Sequence, residues 1–131
     1  MPHFIVEYSA NLETAIEVPD LLLCIHKAAE ETGMFPAAGI RVRAARRDHY
    51  SIADRHPENA FVHVSARVGA GRTPDVRQNA AKHIFAALCD FLALEQEKRA
   101  LGISFEMVEI DDLTNLKKNN THELVKARRQ T

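Results

Sequence analysis

Ala60-Phe61-Val62-His63-Val64-Ser65-Ala66-Arg67-Val68-Gly69-Ala70-Gly71-Arg72-Thr73-Pro74-Asp75 is the stretch that decides the fold. Ala60, Val62, Val64, Ala66 and Val68 alternate with Phe61, His63, Ser65 and Arg67, the period of two of a strand with one buried face. Gly69 to Arg72 read as a flexible turn. Thr73 can cap a helix, Pro74 suits its first position, and Asp75 favours the positive end of its dipole. Val76, Ala80, Ile84, Leu88, Phe91 and Leu94 then recur as an apolar stripe. Gly102 closes this helix, and residues 103–110 read as another strand. The whole is one strand–helix–strand unit.

The first half of the chain repeats the pattern. A strand at 3–9 is followed by a loop from Ala10 to Val18. Pro19 and Asp20 open a helix in which Leu21, Leu22, Ile25, Ala28 and Ala29 recur at helical spacing. Gly33 closes it, Pro36 prevents its resumption, and a strand follows at 39–46. Residues 47–58 read as an exposed polar loop. The polar tail, 113–131, has room for a short helix near 119–128. The expectation is an α/β (α+β) chain forming one domain, with pseudo-repeats at about 2–58 and 59–112. Long crossovers give parallel pairing and a four-stranded mixed sheet with two helices on one face. The uncovered face and edges call for other copies of the chain.

Composition narrows the function classes. The chain has 131 residues, 46% hydrophobic and 27% charged, with a net charge of −1. That balance argues against a nucleic-acid footprint over the whole surface, so any anion site must be a local cluster. Arg41 to Arg47 reads RVRAARR, yet no aromatic stacking platform accompanies it. No run is long enough to span a bilayer, and the N-terminus lacks the layout of a signal peptide. Cys24 and Cys89 fall in predicted helices and read as buried thiols of a cytoplasmic protein.

Three features could carry chemistry. Met1 before the small Pro2 is normally removed, leaving a secondary amine at the head of a strand. Burial and nearby cations would lower its pKa, making it a general base near neutral pH. A retained Met1 would turn that nitrogen into an amide. Arg72 precedes a helix start, where free N–H groups and a guanidinium fork suit a carboxylate. Arg41 and Arg43 lie on the polar strand face, and where that face meets another subunit an arginine needs an anionic partner. That partner is either structural, with Glu7 and Glu106 available, or a substrate; by pattern the structural pair is favoured. The seven histidines show no metal-ligand spacing, and no GxSxG, P-loop or GxGxxG motif occurs.

Four segments taken in order, MPHFIVEYSANLE, FPAAGIRVR, VGAGR and LKKNNTHELVK, resemble the 5-carboxymethyl-2-hydroxymuconate Δ-isomerases of the tautomerase superfamily. The similarity runs to about Lys126. The resemblance implies a homotrimer with sites near subunit contacts, no cofactor, and a place in homoprotocatechuate catabolism. It implies catalysis by Pro2 as base, with Arg72 gripping a substrate carboxylate. Arg41 would hold another carboxylate or the 2-oxo group, and Tyr50 would be an aromatic residue near the pocket. The substrate implied is a dicarboxylate or tricarboxylate 2-hydroxydiene. Alternatives within the fold are decarboxylation, hydration and dehalogenation, with Glu7 or Glu106 activating water. A non-catalytic binding protein is the third reading.

Overall fold

A computed structural model describes residues 1–130. The strands are β1 (His3–Ser9), β2 (Arg41–Arg47), β3 (Ala60–Gly69) and β4 (Leu101–Ile110); the helices are α1 (Val18–Glu31), α2 (Pro74–Lys98) and α3 (Thr121–Arg129). The strands form one sheet in the order β2-β1-β3-β4. β1 pairs parallel with β2 and β3 parallel with β4, while β1 and β3 are antiparallel. Each strand–helix–strand unit thus supplies one parallel pair, and the sheet is mixed, as the pattern predicts.

One face of the sheet is the core. Phe4 and Val6 of β1 and Val62, Val64, Ala66 and Val68 of β3 are fully buried against Leu21 and Ile25 of α1 and Ile84 and Leu88 of α2. Ile103, Phe105 and Met107 of β4 extend this layer. Each large apolar side chain so buried contributes about 1.5–3 kcal/mol. The other face is polar: Glu7 pairs with Arg47 at 2.9 Å, and His63 meets Ser104 at 2.6 Å.

The long helix departs from the expected stripe. Its buried row is Ala80, Ile84, Leu88, Leu92 and Glu95, whereas Val76 and Leu94 are 45% and 70% exposed. Leu92 lies one turn beyond Leu88, and Leu94 points away from that row. Gly102 does not end the helix. Arg99 leaves the helical region, and the Ala60 N–H donates to the Ala100 carbonyl at 2.9 Å, drawing the chain into β4 before Gly102 is reached. The two thiols are free and part-buried rather than fully buried. The short tail helix forms as α3, packed on a 3-10 turn at Ala37–Gly39.

A buried polar knot ties β1 to the start of β3. Ser9, fully buried, donates to Asn11 Oδ1 at 2.7 Å and accepts from the Phe61 N–H at 3.0 Å. Asn11 Nδ2 donates to the Asn59 carbonyl at 2.7 Å. Ser9→Ala leaves the Phe61 donor and the Asn11 acceptor without their partner, a loss of about 1–3 kcal/mol. The denaturant midpoint should fall with the slope unchanged.

Candidate active site

The strand directions assemble the site. Parallel pairing sets the first residue of β1 beside the first of β2, His3 against Arg41, while antiparallel pairing sets His3 against Arg67, near the end of β3. Three chain segments distant in sequence therefore meet at one end of the sheet: Met1-Pro2, the start of β2, and the turn from Gly69 to Thr73. Pro2 is buried there. Its carbonyl accepts from the Arg41 N–H at 3.1 Å. The Ala37–Gly39 turn lies against its ring: a Cβ added at Gly39 would sit 3.4 Å from Pro2 Cδ.

Both arginines are half-buried and held by neutral groups. Arg41 Nη1 donates to the Ala38 and Gly39 carbonyls at 3.1 and 2.8 Å, and Nη2 donates to Thr121 Oγ1 at 3.1 Å. Arg72 Nη1 donates to the Gly69 carbonyl at 3.1 Å and Nη2 to the Met34 carbonyl at 2.8 Å. The Arg72 guanidinium also lies over the Phe35 ring, 5.4 Å from its centroid, and Phe35 packs edge-on against Phe4. The predicted structural partners go elsewhere. Glu7 binds Arg47, Glu106 faces His63 and Ser65, and Arg43 meets His3. Neither Arg41 nor Arg72 has a carboxylate within salt-bridge distance among the described residues. The favoured reading of Arg41 or Arg43 as half of a structural ion pair is therefore corrected. Each guanidinium keeps N–H donors to spare, which is the arrangement of an anion site.

Electrostatics at this corner disfavour positive charge. Met1 precedes Pro2 in the structure and carries the terminal amine. Burial foremost, then the charges of Lys117, Arg41 and Arg72, hold that amine below the ordinary α-amino value. His3 is likewise pushed below its usual range, by burial and then by Arg43, the terminal amine, Arg41 and Arg67. Such surroundings favour the uncharged form of an amine placed there.

Tyr50 stands apart within the chain. It is 39% exposed and packs edge-on against Phe61, whose ring centroid is 6.4 Å away. Phe61 lies at the opposite end of β3, about 20 Å along the strands from Pro2 at ~3.3 Å per residue. Pro2, Arg41 and Arg72 come together; Tyr50 does not join them in one protomer. Sequence reasoning assigned no site role to Phe35, Thr121 or Lys117. They lay within the FPAAGIRVR and LKKNNTHELVK segments without a role of their own, and the tail residues carry no periodicity that would dock them. Among the described residues, no group of three or more His, Cys, Asp or Glu side chains could hold a metal. No described helix is long and apolar enough to cross a membrane.

Comparison with known proteins defines the class first. Native fused 4-OT superposes with a TM-score of 0.63 at 16% identity, covering 94% of this chain and 98% of that one, which shows a shared fold. A family model described as 5-carboxymethyl-2-hydroxymuconate isomerase matches residues 2–125. The Escherichia coli 5-carboxymethyl-2-hydroxymuconate Delta-isomerase is 39% identical over 126 residues, spanning 96% of this chain and all of that one. A 5-carboxymethyl-2-hydroxymuconate isomerase structure from Deinococcus radiodurans R1 superposes with a TM-score of 0.88 at 36% identity, covering 95% and 93% of the two chains. The chain belongs to the 5-carboxymethyl-2-hydroxymuconate isomerase family and is an isomerase.

The terminal amine should be reactive at unusually low pH. Its acylation rate against pH should inflect below ~8, the ordinary α-amino value. Arg41→Gln and Arg72→Gln should each move the inflection upward. An inflection at or above the ordinary value in the unsubstituted protein would contradict the described surroundings.

Proposed function

We propose that, with Met1 removed, the chain isomerises 5-carboxymethyl-2-hydroxymuconate or a close 2-hydroxydiene polycarboxylate, using the Pro2 amine as its base. The observation that carries this reading is the placement of two half-buried arginines, without carboxylate partners, around a buried proline at the head of β1. Removing Met1 would expose the ring nitrogen to the surroundings that now depress the Met1 amine. Arg72, locked by two carbonyls and the Phe35 ring, holds one substrate carboxylate. Arg41 holds a second carboxylate or the 2-oxygen.

The proton inventory closes with one base. The free amine takes the proton of the 2-hydroxyl. Charge spreads over the oxygen and the dienolate, and the Arg41 guanidinium stabilises it in a partly dry corner, where fixed dipoles and charges are most effective. The resulting prolinium hands the same proton to carbon, giving the 2-oxo product and the free amine again. Arg41 and Arg72 thus act twice, binding the polyanion and keeping the base unprotonated. In this reading the two halves, about 2–58 and 59–112, are fused copies of one β-α-β unit. The functional form is a homotrimer, and Tyr50 enters a site only from a neighbouring copy. Decarboxylation, hydration and dehalogenation gain no support. Hydration would need Glu7 or Glu106 free to activate water, and they face Arg47 and His63 instead.

Loss of the dienol ultraviolet band tests the reaction, alongside the intact mass that reports Met1 removal. A form that retains Met1 should lose at least ~10²-fold in turnover, the usual scale for a missing general base. Normal turnover by that form would end the Pro2 mechanism. Arg72→Ala should mainly raise KM, whereas Arg41→Ala should also lower kcat. On the acid side the sign is set by the lowered amine pKa: the base is active when unprotonated, so kcat/KM should be highest above that pKa. It should fall only as pH drops through a value below ~8.

A further inference from the structure

The assignment above leaves part of a tricarboxylate without a contact. Arg72 takes one carboxylate, and Arg41 takes a second or the reacting oxygen. The carboxymethyl carboxylate, which distinguishes such a substrate from a plain hydroxymuconate, has no cation yet.

The C-terminal segment brings one. Thr121 Oγ1 accepts from Arg41 Nη2 at 3.1 Å, so the tail reaches the same guanidinium that flanks Pro2. α3 packs on the Ala37–Gly39 turn, and that turn lies against the Pro2 ring. Asn119 Oδ1 accepts from the Thr121 N–H at 2.8 Å, fixing the chain just before the helix. Lys117 stands four residues ahead of Thr121, exposed, and has no salt bridge among the described residues. Its charge bears on the terminal amine ahead of those of Arg41 and Arg72.

We propose that Lys117 is a specificity-determining residue of this site, binding the carboxymethyl carboxylate of a tricarboxylate dienol while Arg41 and Arg72 hold the remaining anionic groups. The inference rests on the isomerase reading above and extends it to substrate choice. The residue type suits the task. A carboxymethyl group rotates about its own bonds and presents no fixed plane, so a compact ammonium on a flexible stem can follow it. The conjugated backbone, by contrast, is planar and suits the rigid forks of the two arginines. The tail therefore does more than cover the turn: it adds a cation from outside both strand–helix–strand units to Arg41 and Arg72.

The test compares the protein with its Lys117→Met variant on two dienols, 5-carboxymethyl-2-hydroxymuconate and 2-hydroxymuconate. Rates are taken on the pH plateau, so that a changed Pro2 pKa does not enter. The variant should lose about tenfold in kcat/KM on the tricarboxylate, mostly through KM, the scale of one charge-assisted hydrogen bond. The dicarboxylate should be nearly unaffected, and Lys117→Arg should restore most of the loss. Lys118→Met removes the same charge one residue away and should leave the substrate ratio intact. An unchanged ratio in Lys117→Met, an equal loss on both substrates, or the same discrimination in Lys118→Met would overturn the inference and leave the isomerase reading standing. Failure of the unsubstituted, Met1-free protein to convert either dienol would overturn both.

Discussion

The hydrogen bond from the Arg41 N–H to the Pro2 carbonyl anchors the leading end of the chain. It begins the β1–β2 ladder, and without it the first residues would be a frayed terminus of the kind most chains possess. With it, Pro2 is buried one residue before His3, the register partner of Arg41, while β1's antiparallel pairing with β3 brings Arg72 to the same corner. In the proposed mechanism the Pro2 nitrogen needs this constraint, because general-base catalysis depends on a fixed approach.

The corner is built to repel positive charge and attract negative. Its arginines are held by backbone carbonyls and a threonine hydroxyl, which orient a guanidinium without neutralising it. The acids on the open sheet face are engaged with Arg47 and His63 instead. A chain with net charge of −1 can thus carry a strongly cationic site. One electrostatic arrangement has two effects: it lowers the amine's affinity for a proton and raises the site's affinity for a polyanion. The tail adds to the first of these through Lys117.

Strands were legible where burial is one-sided, because a period of two leaves little room for another reading. β3 shows it best: its five inward residues, Ala60, Val62, Val64, Ala66 and Val68, are all buried. The rotation of α2 was less legible. Over a 25-residue helix several rows of apolar residues compete, and contact with the sheet selects the row containing Leu92 over Leu94. Pro2 and Arg72 could be singled out because their neighbours give them local meaning, a strand start and a helix start. Thr121 and Lys117 could not, since the polar tail is placed by contacts with a turn some eighty residues earlier. For Arg41 the sequence offered acids but not their directions, and so favoured an ion pair that does not form.

By itself the sequence determined the order of strands and helices, the buried face of each strand, and the residue types able to hold a proton or a carboxylate. These follow from local periodicity and side-chain chemistry. Tertiary structure decided which of those residues meet. Whether an arginine is neutralised or left free for a ligand depends on strand direction, register and the path of the tail. Those are set by long-range pairing, through which Pro2, Arg41, Arg72 and Lys117 come to share one corner.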